Sequence, residues 1–154
     1  MEGKSMAAVT DRVEKWISMY NREIREWLNQ QLRSFPDLNE SNYYYILIVT
    51  EHPGISQSEL IRYIFREQSI VTKAVRNLVQ KGWLQVAKDE ADHRRTIVSV
   101  TERGKALYPQ LKAIAQQANV FATTGLDPDE ARELERLLKK ALLPLPGIEK
   151  YQFT

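Results

Sequence analysis

Apolar positions along the chain fall into six stretches of helical period and one alternating pair of segments. From Asp11 onward, Val13, Ile17, Tyr20, Ile24 and Trp27/Leu28 recur every three or four residues, with Trp16 widening the stripe. Asp11 and Glu14 stand at capping-box spacing, and Pro36 closes this long amphipathic helix. Residues 1–10 show no periodicity and are expected to form a flexible tail. A second helix is expected from near Asn39, carrying Tyr43, Ile46, Leu47, Val49 and Thr50, until His52-Pro53-Gly54 stops it. Ser56 and Glu59, again at capping-box spacing, open a short helix bearing Leu60, Ile61 and Ile64. A turn over Phe65–Glu67 leads to a third, from Gln68 to Lys81, with Val71, Val75, Leu78 and Val79 facing inward and Gly82 where a left-handed cap is wanted. The period then changes to two: Leu84 and Val86 share one strand face, Val98 and Val100 share that of the return strand, and Asp89–His93 form the loop between them. Thr101 caps a long helix with Leu107, Leu111, Ile114, Ala115, Ala118 and Phe121. Asp127-Pro128-Asp129-Glu130 announces a last helix with Leu134, Leu137, Leu138, Ala141 and Leu142, ended by Pro144 and Pro146.

Two short helices joined by a tight turn and followed by a two-stranded hairpin are the parts of a winged helix-turn-helix, whose second helix enters a DNA major groove. Removing the inward apolar set leaves Gln68, Ser69, Thr72, Lys73, Arg76 and Asn77 on its outer side. Ser and Thr bond phosphates or base edges, while Lys and Arg bond guanine or neutralise phosphates. A solvated polar face has the same composition. The hairpin loop ends in Asp92-His93-Arg94-Arg95, and a guanidinium at a protruding tip can reach a narrow minor groove. Asp92 is spaced to hold Arg94 in a fixed direction by a charge-assisted bond, although an acid-basic cluster also makes a soluble turn.

Charge sharpens this picture. The whole 154-residue chain carries +2, yet between Arg62 and Arg95 eight Lys/Arg face four acids, so the middle is at +4 and the remainder at −2. Such a basic middle suits a polyanion partner, or else a lysine-rich solvated face. The absence of cysteine removes a disulfide framework, a thiol nucleophile and a thiol redox sensor. The longest apolar run, Tyr43 to Val49, falls far short of the ~20 residues of a membrane helix, and no basic-then-apolar leader opens the chain. No membrane partner is expected, and a cytoplasmic location is.

The stretch from Ile55 to Gly104 resembles the winged-helix core of the MarR family of bacterial and archaeal transcription regulators. The likeness lies in the SQSEL opening, in SIVTKAVRNLVQKGWL across the second helix and first strand, in the Asp-x-Arg pair Asp92 and Arg94, and in VSVTERG leading into the next helix. The resemblance implies a homodimer whose first and last helices interlock, two winged heads on one face of B-DNA and, in many members, an effector cleft between the dimerisation helices and the head. It carries Ser69, Thr72, Lys73 and Arg76 over to the base- and phosphate-contacting face, and Asp92 and Arg94 to the wing pair. Three positions depart from the pattern. His93 replaces a second basic residue, Phe65 occupies a turn position where glycine is usual, and no thiol is present for an oxidation switch.

Dimerisation also follows from the residues. Val13, Trp16, Ile17, Tyr20, Leu134, Leu137, Leu138 and Leu142 make wider apolar stripes than a small head covers, so a second copy, or packing of the two ends within one chain, must bury them. Ile148, Tyr151 and Phe153 are placed to join the partner's helices. Trp16, Tyr43 and Tyr45 are candidates to line an effector pocket, against the ordinary role of such aromatics as core. With only His52 and His93, and no G-x-S-x-G, P-loop or dinucleotide fingerprint, neither an enzyme, a metal centre nor a cofactor is expected.

The expected fold is mainly α with a small β-hairpin wing (α+β), a winged helix-turn-helix flanked by long N- and C-terminal dimerisation helices. One domain is expected over 11–146, with dimerisation helices at 11–35 and 104–146, the winged head at 37–103 and a tail at 147–154. The expected function is a dimeric, sequence-specific regulator binding a pseudo-palindromic operator in double-stranded DNA, acting as a repressor released by a small-molecule effector. The alternative is a winged-helix protein-interaction adaptor that does not bind DNA.

Overall fold

The computed structural model describes residues 12–151. Its elements in chain order are α1 (Val13–Leu32), α2 (Tyr43–Glu51), α3 (Gln57–Ile64), α4 (Gln68–Gln80), β1 (Leu84–Lys88), β2 (Thr96–Val100), α5 (Glu102–Ala122), α6 (Pro128–Leu142) and a 3-10 turn at Ile148–Lys150. The expected tail at 1–10, the Asp11 half of the first capping box and Phe153 lie outside the described residues. Arg12 is the N-cap of α1 and makes no side-chain cap bond. Among the described residues no helix is long and apolar enough to cross a membrane.

The centre of the molecule is α2, which is apolar over most of its surface and buried except at Tyr44 and its last two residues. Tyr43, Tyr45, Ile46, Leu47, Ile48 and Val49 are all buried, and the helix packs against α3, α5 and β2. It starts at Tyr43 rather than near Asn39. The reason is local: Asn42 Oδ1 accepts the Asn39 N–H at 2.8 Å, Asn39 Oδ1 accepts the Ser41 N–H at 2.9 Å, and Asn42 Nδ2 donates to Asp37 O at 2.8 Å. These bonds hold residues 39–42 as a turn ahead of the helix.

Ser56 caps α3, its Oγ accepting the Glu59 N–H at 3.2 Å. The reciprocal half of the expected capping box is not made, because the Glu59 carboxylate turns to the wing. Between α3 and α4 the chain bends at Phe65, which reaches the left-handed region at φ 57°, ψ 38°. The turn thus keeps the conformation glycine would give, against a steric cost of about 1–2 kcal/mol for a residue with a β-carbon. Gly82 ends α4 as expected, with φ 81°; its N–H bonds Val79 O at 3.1 Å, and the Trp83 N–H bonds Leu78 O at 2.9 Å.

β1 and β2 pair antiparallel with Leu84 opposite Val100 and Val86 opposite Val98. Val98 is fully buried whereas Val86, expected on the same inward face, is 44% exposed. The asymmetry follows from strand position. β2 is central, because Ser56 bridges Ile97 and Ile55 O accepts the Val98 N–H at 2.9 Å, while β1 is an edge strand that leaves the head after Leu84.

Thr101 caps α5, accepting the Gly104 N–H at 3.1 Å and donating to Gly82 O at 2.7 Å. Here a β-carbon on residue 104 would lie 2.4 Å from Trp83 O, so glycine is required by close approach. Leu111, Ile114 and Ala118 bury one face of α5, which packs on α1 and α2. The capping box of α6 forms in full: Asp127 accepts the Glu130 N–H at 2.9 Å, and Glu130 accepts the Asp127 N–H at 3.0 Å, with Pro128 in the first turn. No side chain of α6 is buried. Beyond it Tyr151 packs on Phe65 of its own chain.

Candidate nucleic-acid interface

A groove of about 730 Å³ runs along the outer face of α4, lined by Glu67, Gln68, Ser69, Thr72, Lys73 and Arg76. Helix periodicity explains this set, since Ser69, Thr72, Lys73 and Arg76 fall on one side while Val71, Val75 and Leu78 fill the core. Lys73 and Arg76 are exposed and form no ion pair with any other described residue.

Two of the expected contact residues sit differently. Thr72 is half-buried and its hydroxyl is engaged, donating to Gln68 O at 2.9 Å and accepting from Gln57 Nε2 at 3.2 Å. It ties α4 to α3. Asn77 is exposed but lies off the groove, lining clefts with Asn39 and Asn42 on the flank toward the α1–α2 connection.

The wing is held open by its own side chains. Asp92 Oδ1 accepts both the backbone N–H and Nε of Arg94, each at 3.1 Å. These bonds, the side-chain one foremost, hold the Asp92 carboxyl below the usual carboxylate range. The Arg94 side chain nevertheless remains 92% exposed, so Asp92 directs the guanidinium without covering it. Arg95 does the opposite. Its Nη2 binds Glu59 Oε1 at 2.6 Å and its Nη1 binds Asp89 Oδ2 at 3.2 Å, so its charge is spent on bracing the loop against α3. Arg95, the other guanidinium named as a DNA-contact candidate, is thus paired twice where Arg94 is left uncovered.

Arg103 has a role that no short-range pattern announces. Its guanidinium stacks 3.8 Å above the Trp83 ring and donates to Lys81 O at 2.6 Å, so the first turn of α5 grips the C-terminal end of α4. Only the pairing of a helix start with a residue about twenty positions upstream reveals it.

The dimerisation candidates separate into two groups. Tyr20, Leu134, Leu138 and Leu142 meet in an apolar cleft of about 470 Å³ between α1, α5 and α6, and the Tyr20 hydroxyl donates to Ala122 O. Val13, Trp16, Ile17 and Leu137 lie open, at 72%, 58%, 49% and 47% exposure. The effector-pocket candidates do not converge. Tyr43 and Tyr45 are core residues, while Trp16 stands exposed on α1. Of the three, Tyr45 lines a cavity of about 340 Å³ with Arg66, Ile70 and Lys73, and neither Trp16 nor Tyr43 borders it.

Known proteins share this sequence pattern and this shape. The pattern of the MarR family matches residues 38–96. The uncharacterized HTH-type transcriptional regulator YybA of Bacillus subtilis (strain 168) is 28% identical over 104 residues, covering 68% of this chain and 69% of that protein. The multiple antibiotic resistance protein MarR of Escherichia coli (strain K12) is 28% identical over 127 residues, 82% of this chain and 88% of that protein. Among solved structures, a point mutant of Escherichia coli MarR complexed with operator DNA superposes with TM-score 0.78 at 25% identity, over 88% of this chain and 99% of that one. BpsR of Bordetella bronchiseptica, at 20% identity and TM-score 0.79, shares the fold over 88% of this chain and 96% of its own. A hairpin wing beside a basic second helix is thus similar, in sequence over residues 38–96 and in shape, to the MarR family of transcriptional regulators.

Proposed function

We propose that this chain binds double-stranded DNA as a homodimer, each copy laying α4 in a major groove and its wing along the neighbouring minor groove, and that it represses transcription from a pseudo-palindromic operator. One observation carries the reading: Lys73 and Arg76, unpaired among the described residues, share an open groove with Ser69, and Arg94 is aimed from the wing by Asp92. The dimer is supported by the exposed stripes of α1 and α6, which nothing among the described residues of a single copy covers. Two-fold symmetry then sets the spacing, because paired recognition helices must meet successive major grooves about 34 Å apart. Release by a small molecule is part of the same proposal, with the cavity beside Tyr45, Arg66 and Lys73 as the place where a ligand reaches the recognition helix. Such a ligand acts by binding one spacing of the heads better than the other.

The test is to let the purified chain select duplexes from a random pool and to measure binding against salt concentration. Recovery of inverted half-sites, with affinity falling steeply as salt rises, is the expected result. Salt-independent or absent duplex binding supports the adaptor reading instead.

A further inference from the structure

Beyond α6 the chain doubles back onto the head. Gly147, at φ 82°, turns it, and Ile148–Lys150 form a single 3-10 turn. Tyr151 then meets the Phe65 ring edge-on, with centroids 5.3 Å apart and planes at 68°, and Lys150 Nζ lies 3.8 Å from Glu67 Oε1. Neither partner is an ordinary surface residue. Phe65 is the left-handed residue that bends α3 into α4. Glu67 is the N-cap of α4, makes no side-chain cap bond, and is the one acid among the residues lining the outer groove.

An uncompensated carboxylate at the mouth of that groove opposes an approaching phosphate. We propose that the C-terminal segment is a third contact element of the DNA-binding head: Tyr151 anchors it to the helix-turn-helix bend, and Lys150 neutralises Glu67 so that the start of α4 accepts a polyanion. The inference rests on the DNA-binding reading above. As an ion pair, Lys150 and Glu67 are half and 72% exposed at their side chains, too open to matter for folding. Its effect belongs to binding, where a groove's net charge is felt by every phosphate within a Debye length.

The experiment uses the full chain and a duplex selected by it, with affinity measured across a salt series for Lys150→Ala, Tyr151→Ala, Glu67→Gln and the Lys150→Ala/Glu67→Gln pair. Lys150→Ala is expected to weaken binding about twofold to fivefold at low salt, the gap closing as salt rises. Tyr151→Ala is expected to give a similar loss and faster amide exchange at Phe65–Glu67. In the Glu67→Gln background the Lys150→Ala loss shrinks, since the charge it offset is gone. An equal loss in both backgrounds overturns the neutralising role, and unchanged affinity and exchange in the single variants overturn the tail's part in the head while leaving duplex binding intact. If the unaltered chain binds no duplex, the DNA reading falls and this inference with it, whatever the exchange data show.

Discussion

Arg95 Nη2 sits 2.6 Å from Glu59 Oε1, which fastens the wing to the first helix of the helix-turn-helix. A residue in a basic loop thereby braces that loop. Glu59→Gln should weaken duplex binding, Arg95→Ala somewhat more because it also frees Asp89, and the double variant no further than Arg95→Ala alone. The exposed pair should contribute at most about 1 kcal/mol to folding. Fluorescence anisotropy and urea titration of the four-member cycle measure both quantities; additive losses in affinity would instead mark Arg95 as a direct DNA contact.

Arg76 and Arg94 should fail differently from Arg95 and from each other. Arg76→Ala is expected to cost about 1–3 kcal/mol on the selected site and to relax its sequence preference. Arg94→Ala should lower affinity across sequences and make the salt dependence shallower by about one unit. Gel shifts on selected and scrambled duplexes at several salt concentrations separate the two.

Gly104→Ala puts a methyl group 2.4 Å from Trp83 O and 2.7 Å from Val100 Cγ2. The backbone of two elements must move, so a loss of about 1–3 kcal/mol or more is expected in chemical unfolding. Gly125→Ala is the matched control, since its β-carbon would meet nothing within 4 Å.

Asp92 gives a pH prediction with a definite sign. Its carboxyl is held down in the folded chain by the bonds from Arg94. A depressed folded value means that its contribution is present above the unfolded carboxylate range and fades as pH falls through the folded midpoint. An NMR titration should place Asp92 below other exposed carboxylates, and Arg94→Ala should raise it part of the way to the ordinary range, the bond from the backbone N–H of residue 94 remaining. If the midpoint does not move, the Asp92–Arg94 bond is not populated in solution.

Leu138→Asp should divide the dimer. Keeping Leu138 in an apolar interface contributes about 1.5–3 kcal/mol per copy, so its symmetric loss weakens association by at least about a hundredfold. Sedimentation at micromolar concentration reads the change directly, and duplex affinity should fall with it. A dimer that persists would move the interface away from the α1–α5–α6 cleft.

What the sequence disclosed and what it hid divide along chain distance. Asp127-Pro128-Glu130, Ser56 and Gly82 declared their caps because each is completed within a few residues, and the inward set Val71, Val75 and Leu78 follows from helix period alone. The start of α2 escapes periodicity for a reason equally local, the side-chain bonds by which Asn39 and Asn42 hold a turn ahead of it. Val86 was assigned inward because alternation names a face but not whether anything lies against it, and an edge strand leaving the head has no cover there. The brace from Arg95 to Glu59, the grip of Arg103 on Trp83 and the seat of Tyr151 on Phe65 join residues far apart in the chain, and composition offers no register for such pairs.

The grip of Arg103 and Thr101 on the end of the recognition helix makes α5 a lever. Its fulcrum is the tight junction at Gly104, and its far end is clasped to α1 where Phe121 stacks on Trp27, 5.4 Å between ring centres. Twenty-one residues at about 1.5 Å each span roughly 31 Å, so a swing of about 5° sweeps the opposite end through roughly 3 Å. That arc is about a quarter of a major groove's ~12 Å width. Pro109, which denies Lys105 O its usual helical donor, gives the shaft a place to flex. Displacements of a few ångströms among the distant arms are therefore delivered to the end of α4 as a small rotation about Gly104.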